Sequence, residues 1–266
     1  MWASRGRAMK KFIIGNWKMN LNVHEASLFA TKLAQDVPIK RGVETVICPS
    51  SLALSPLSLQ INHRQMKLGA QNCYWRDEGA FTGEIAAAQL RGLAQYVLVG
   101  HSERRHIFDE DDREIRFKVQ AALRNGLTPV LCVGETETER GEGDTAHVLG
   151  DQIVSGLLNV GSDQIDDVLI AYEPVWAIGS GRTPEPNEIE EAVKMIRSQI
   201  GHMFGRNAAT SVPVLYGGSV NLANAESILR AKGVSGLLIG GASLIAPEFA
   251  GMVQIAADVL KEEKDG

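Results

Sequence analysis

The sequence alternates short apolar runs with segments of helical periodicity, and few folds can accommodate this alternation. Each run has four to six residues and is apolar enough for a strand that is buried on both faces. The eight runs are Phe12 to Gly15, Val43 to Cys48, Met66 to Ala70, Tyr96 to Gly100, Pro129 to Val133, Val168 to Tyr172, Pro213 to Tyr216 and Gly236 to Gly240.

The segments between these runs have the spacing of amphipathic helices. After the sixth run, apolar residues recur at Ile189, Ala192, Val193, Ile196 and Ile200. Strands that alternate with helices over short connections lie parallel and cross over with a right hand. Eight such units in 266 residues predict an α/β protein with a single-domain (β/α)8 barrel.

The competing architecture is an open, doubly wound sheet. Such a sheet usually carries a G-x-G-x-x-G turn after its first strand, whereas Gly15 is followed here by Asn16, Trp17 and Lys18. We found no linker composition, so we expect one barrel domain at residues 9–266. Residues 1–8 are expected to be a disordered N-terminal extension, and they lack the apolar segment of a signal peptide.

Charge and cysteine usage exclude several kinds of partner. A net charge of -5 provides no basic field for nucleic acid or an anionic membrane. The uncharged stretch from Val234 to Pro247 is too short to span a bilayer. Three cysteines without a C-x-x-C pair are expected to be reduced and mostly buried in a cytoplasmic protein, with no metal site.

Barrel enzymes carry their chemistry at the C-terminal ends of the strands, and Glu173 stands directly after the sixth run. Pro174 follows it, and Gly179 closes the next short loop, so the stretch is typical of a general base with its own lid. The alternative is a solvated surface acid before an ordinary loop.

Other strand ends add further polar candidates. Asn16 and Lys18 follow the first run, two positions apart, and would lie on one side of an extended chain. His101 follows the fourth run, where a helix beginning near Ser102 favours a neutral, hydrogen-bond-donating ring. The alternatives are a surface lysine and a core histidine. His106 does not share a helix face with His101, which argues against a metal pair.

Two glycine-rich turns follow the last two runs. Gly217-Gly218-Ser219 and Gly240-Gly241 are expected to open helices, where backbone amides can hold a phosphate. The alternative is a pair of tight turns that need glycine. Ser219 is not followed by the final glycine of G-x-S-x-G, which argues against a serine hydrolase.

From Lys10 to about Leu260 the chain resembles the triosephosphate isomerase family. The motifs that carry the resemblance are Gly15-Asn16-Trp17-Lys18-Met19-Asn20, Gly79-Ala80-Phe81-Thr82-Gly83-Glu84, Gly100-His101-Ser102-Glu103-Arg104-Arg105, Ala171-Tyr172-Glu173-Pro174-Val175-Trp176-Ala177-Ile178-Gly179, Tyr216-Gly217-Gly218-Ser219 and Gly240-Gly241-Ala242-Ser243-Leu244. The resemblance implies a cytoplasmic enzyme of glycolysis and gluconeogenesis. It would interconvert dihydroxyacetone phosphate and glyceraldehyde 3-phosphate without a cofactor.

The resemblance also implies roles for individual residues. Glu173 would move the proton between carbons, His101 would polarise the carbonyl, and Lys18 would stabilise the enediolate. Asn16 would help to fix the substrate, with Glu103 and Ser102 in support. Backbone amides would hold the phosphate, at Gly179, Ser219, Gly240 and Gly241.

The family's dimer loop corresponds to residues 72–84, with Thr82 near its tip, and implies a homodimer. Two departures stand out. Arg182-Thr183-Pro184 replaces the more usual Lys-x-Ala at the second lid hinge, and Ile85 is not followed by the frequent Ser-Pro. Rival interpretations are a non-catalytic phosphate-binding barrel and a Schiff-base aldolase with Lys18 as nucleophile.

Overall fold

A computed structural model describes residues 10–179 and 182–265. The described residues form eight parallel strands, each hydrogen-bonded to the next, and β1 pairs with both β2 and β8 to close the barrel. The strands are β1 (Lys11–Asn16), β2 (Val43–Cys48), β3 (Lys67–Ala70), β4 (Tyr96–Val99), β5 (Thr128–Val133), β6 (Leu169–Tyr172), β7 (Val214–Tyr216) and β8 (Gly236–Ile239). The predicted (β/α)8 barrel is confirmed.

Helices connect successive strands. They are α1 (Val23–Asp36), α2 (Ser51–Gln60), α3 (Ala87–Leu90), α4 (Ser102–Ile107), α5 (Asp112–Arg124), α6 (Glu137–Glu142), α7 (Thr145–Leu157), α8 (Pro186–Phe204), α9 (Arg206–Ser211), α10 (Ala225–Arg230) and α11 (Ala246–Asp265). Within the described ranges, no helix combines the length and apolarity needed to cross a membrane. The extension predicted for residues 1–8 lies outside the described residues.

Alternating side chains of each strand enter two separate apolar clusters. In β1, Phe12 and Ile14 point into the barrel, whereas Ile13 packs outward beneath the helices. The five apolar positions predicted for the helix after the sixth run are all buried on α8. The alternation within strands and the stripe on each helix therefore fix which side chains fill the barrel and which pack between the strands and the helices.

Local sequence sets several helix starts. Asp111, within the acidic run before α5, accepts the Glu114 N–H and caps that helix. Ala86 stands at the cap of α3, where the family that the sequence resembles more often has Ser. It has no side-chain oxygen, and Gln89 Oε1 instead accepts the Ala86 N–H at 2.9 Å. This bond supplies half of a capping box.

Candidate active site

The C-terminal rim of the barrel surrounds a cavity of about 480 Å³. The strand-end candidates from the sequence meet there. The cavity is lined by Asn16, Lys18, His101, Glu103, Glu173, Gly179, Ser219, Gly240 and Gly241, together with other residues of the glycine-rich turns. Two carboxylic acids, one imidazole and one ammonium group therefore face a common space that has the size of a small-molecule site.

Glu173 follows β6 and is 1% exposed. Its Oε2 accepts the Ser102 N–H at 2.8 Å, and its Oε1 lies 3.2 Å from His101 Nε2. The backbone is equally constrained, because a Cβ on Gly134 would lie 1.7 Å from the Glu173 carbonyl oxygen. A glycine at position 134 is thus required for the acid to occupy this place.

The tautomer of His101 follows from the bond that its other ring nitrogen makes. His101 is the N-cap of α4, and its Nδ1 accepts the Glu103 N–H at 3.2 Å. A nitrogen that accepts a hydrogen bond carries no proton, so the proton of the neutral ring is on Nε2. Nε2 lies 3.2 Å from Glu173 Oε1 but makes no hydrogen bond to it, so its N–H can donate to a ligand oxygen.

Lys18 departs from the expected extended geometry. Its φ is +51°, in the left-handed region, and Asn16 Oδ1 accepts its backbone N–H at 3.0 Å. The expectation that Asn16 and Lys18 share one side of an extended chain is therefore wrong, although both line the cavity. Lys18 Nζ donates to Glu103 Oε1 at 2.5 Å.

Gln71 was not singled out from the sequence. It directly follows β3, and its Nε2 donates to the carbonyl oxygens of Lys18 at 2.8 Å and Cys48 at 2.9 Å. A polar residue immediately after a strand was the available signal. Gln71 holds the unusual backbone of Lys18 in place.

The two glycine-rich turns reach the cavity differently from the prediction. After β7, helix α10 begins only at Ala225, so Gly217 to Val220 form an irregular turn and do not open a helix. The Gly217 N–H donates to the Tyr172 carbonyl at 2.7 Å, which extends the pairing of β7 with β6 into the turn. After β8, a short 3-10 helix does begin, at Gly241–Leu244.

The predicted lid is described from Pro174 to Gly179, whereas Ser180 and Gly181 lie outside the described residues. Trp176 Nε1 donates to Glu135 Oε1 at 2.8 Å, and the Tyr172 hydroxyl donates to the same oxygen at 3.0 Å. Burial raises the pKa of Glu135, and these two hydrogen bonds oppose that shift. Sequence reasoning missed Glu135, although it stands two residues after β5.

Two guanidinium groups flank the indole of Trp176. The Arg140 guanidinium lies 4.2 Å from the ring centroid and that of Arg182 lies 5.4 Å away. Arg182 also donates to Glu137 at 2.7 Å. The arginine at the hinge therefore contacts both the lid and α6.

Residues 72–84 form a projecting loop. Tyr74 and Phe81 pack together with ring centroids 4.7 Å apart, and Thr82 is exposed. A second cavity of about 450 Å³ lies beside Lys18 and His101, and Gln71 and Gly83 also line it. The cation and the imidazole thus border two cavities.

Comparison with known proteins shows the family to which the chain belongs. The family described as triosephosphate isomerase matches residues 11–256. A triosephosphate isomerase of Natranaerobius thermophilus is 42% identical over 248 residues, covering 93% of this chain and 96% of that protein. One of Carboxydothermus hydrogenoformans is 42% identical over 246 residues, covering 92% and 98%.

A solved structure gives the same result. The crystal structure of triosephosphate isomerase from Bartonella henselae matches with a TM-score of 0.84 and 37% identity, covering 92% of this chain and 98% of that one. The match therefore extends over nearly the whole length of both chains. This chain belongs to the triosephosphate isomerase family.

Proposed function

We propose that Glu173, His101, Lys18 and Asn16 carry out the reaction of the family in this chain. That reaction interconverts dihydroxyacetone phosphate and D-glyceraldehyde 3-phosphate through an enediolate. The observation that carries the assignment is the 3.2 Å approach of His101 Nε2 to Glu173 Oε1 within one cavity. A base and a hydrogen-bond donor at this separation can act on adjacent atoms of one small substrate.

Each group has a defined task. Glu173 removes the proton from the carbon beside the carbonyl and returns it to the neighbouring carbon. His101 Nε2–H donates to the carbonyl oxygen, where negative charge develops, and moves protons between the two oxygens. The ammonium group of Lys18 stabilises the enediolate, and Asn16 keeps the backbone of Lys18 in its left-handed conformation.

Phosphate recognition falls to backbone amides of Gly179, Ser219, Gly240 and Gly241, which border the same cavity. Closure of residues 174–180 over the substrate would exclude water and strengthen the electrostatic terms. Closure would also protect the enediolate, which eliminates phosphate in an open site. No cofactor enters this mechanism, because the side chains supply both the base and the donor.

We propose a homodimer in which residues 72–84 of one chain enter the cavity beside Lys18 and His101 of the other. The exposed Thr82 and the half-exposed Phe81 on the loop support this pairing. Size-exclusion chromatography with light scattering should give twice the chain mass, and a monomer at micromolar concentration would contradict the proposed dimer.

A cytoplasmic location fits the reaction class and is tested by cell fractionation.

The decisive experiment is a coupled assay with each triose phosphate and the purified protein. We expect conversion in both directions, and a protein that converts neither substrate would refute the proposal. Glu173→Gln should lose at least about 10²-fold in kcat because it removes the general base, while phosphoglycolate binding is largely retained. Equal loss of activity and binding would indicate misfolding.

Borohydride trapping with substrate should leave Lys18 unlabelled, whereas a Schiff-base aldolase would be labelled.

A further inference from the structure

Helix α4 carries the backbone groups that hold both acid–base side chains. The Ser102 N–H donates to Glu173 Oε2 at 2.8 Å, and the Glu103 N–H donates to His101 Nδ1 at 3.2 Å. The helix has only six residues, and a helix of this length is not stable by itself in water. Tertiary contacts must therefore hold its first turn in place.

Arg105, in the same helix, makes such contacts. Its Nε donates to the Gly100 carbonyl at 2.9 Å, its Nη2 to the Cys132 carbonyl at 3.2 Å, and its Nη1 to Asp112 Oδ1 at 2.7 Å. Only 10% of the side chain is exposed. One planar guanidinium group thus joins the ends of β4 and β5 to the start of α5.

The first of these bonds acts next to the imidazole. Gly100 directly precedes His101 and has φ of +70°, a conformation that favours glycine. A Cβ at this position would lie 3.0 Å from Ile115 Cδ1 and 3.1 Å from Arg105 Nη2, so Ile115 and the guanidinium together occupy the space that a side chain would need. The Gly100–His101 peptide is therefore oriented by Arg105.

The second bond acts next to the acid. Cys132 precedes Val133, whose carbonyl accepts the Glu173 N–H at 2.7 Å. A fixed Cys132 carbonyl therefore fixes the end of β5, to which the backbone of Glu173 is hydrogen-bonded. Arg105 does not appear among the described residues that line the cavity, so any effect on the reaction passes through its neighbours.

We infer that Arg105 is a positioning residue for the isomerisation, an inference that rests on the proposed function. It holds the first turn of α4 against the ends of β4 and β5, and this keeps His101 Nε2 and Glu173 Oε1 in register for one substrate. Misplacing reacting groups by about 1 Å costs up to about 10²-fold in rate, whereas phosphate binding elsewhere on the rim is little affected. The expected signature is a loss in kcat with little change in KM.

The chain offers a matched control in Arg197. Its Nη1 donates to the carbonyls of Ala209 at 2.7 Å and Val212 at 3.2 Å, and its Nη2 donates to that of Gly233 at 2.7 Å. These carbonyls precede β7 and β8, at the end of the barrel opposite the cavity. Loss of Arg197 removes the same type of contact from the face that serves stability.

The experiment compares the wild type with Arg105→Ala, Arg105→Lys and Arg197→Ala at a temperature where all are folded by circular dichroism. We expect Arg105→Ala to lose about 10²-fold in kcat with KM changed less than about threefold, and Arg105→Lys to lose less. Arg197→Ala should melt earlier but keep kcat within about twofold. Millimolar guanidinium should restore part of the kcat of Arg105→Ala and leave Arg197→Ala unchanged.

A second readout does not depend on turnover. The ¹⁵N resonances of the His101 ring should show one neutral Nε2–H tautomer in the wild type and in Arg197→Ala, and move toward averaged values in Arg105→Ala. Wild-type kcat in both Arg105 variants, or an unchanged His101 spectrum in Arg105→Ala, would overturn the inference. An inactive wild type would instead count against the proposed function, and the His101 spectrum would still decide the role of Arg105.

Discussion

Glu110 is a carboxylate buried between two cations. Its side chain is 2% exposed, and its Oε2 accepts from Lys118 Nζ at 2.7 Å and from Arg104 Nε. Lys118 is itself only 4% exposed on its side chain and also donates to Asn72 Oδ1 at 3.1 Å. Glu110→Gln keeps the volume but leaves the buried ammonium group without a counter-charge.

The magnitude follows from this burial. Removing one partner of a buried ion pair costs about 3–5 kcal/mol, since the remaining charge stays desolvated. For a chain of this size, each 1 kcal/mol lowers the melting temperature by about 2–4 °C, so we expect a drop of about 6–20 °C. Lys118→Met should cost less, because Glu110 keeps its pairing with Arg104.

Differential scanning calorimetry at one fixed protein concentration measures this difference. The matched control is Glu226→Gln, which removes a carboxylate that pairs with Arg230 on the exposed face of α10. That variant should melt with the wild type because solvent screens the pair. If Glu110→Gln melted within error of the Glu226→Gln control, the reasoning from burial would be refuted.

Two further predictions concern the thiols and Gln71. Burial raises the pKa of Cys73 to about 12, and it also raises the pKa values of Cys48 and Cys132 well above their ordinary value. Thiols of the unfolded chain ionise above about pH 8.5, while those of the folded chain stay protonated, so the free energy of unfolding should fall from pH 8.5 to 10. Denaturant titrations at several pH values measure this fall. A Cys48→Ala variant whose free energy of unfolding falls as steeply with pH as that of the wild type would contradict the prediction. Gln71→Ala releases the strained Lys18 backbone and should lower kcat/KM by roughly 10- to 100-fold in steady-state assays; unchanged kinetics would contradict it.

Periodicity predicted the barrel, because alternation along strands and stripes on helices are local consequences of burial. The same pattern located Glu173, His101 and Lys18, since each follows an apolar run directly or within three residues. The pattern did not predict backbone conformations that depend on contacts with residues distant in sequence. The left-handed backbone of Lys18 is held by the nearby Asn16 and also by Gln71, 53 positions away, and no local spacing predicts the second contact.

Arg105 and Arg197 illustrate the remaining limit of sequence reasoning. Both lie on helices and both hold carbonyl groups from two other segments, so their local sequences do not distinguish a functional role from a structural one. Their positions relative to the direction of the strands do distinguish the two roles. Because all eight strands are parallel, carbonyls at the ends of β4 and β5 lie at the end of the barrel that carries the cavity, whereas those before β7 and β8 lie at the opposite end. If the proposed function and the inference for Arg105 hold, the contacts of Arg105 position catalytic groups at one end of the barrel, whereas those of Arg197 stabilise loops at the other.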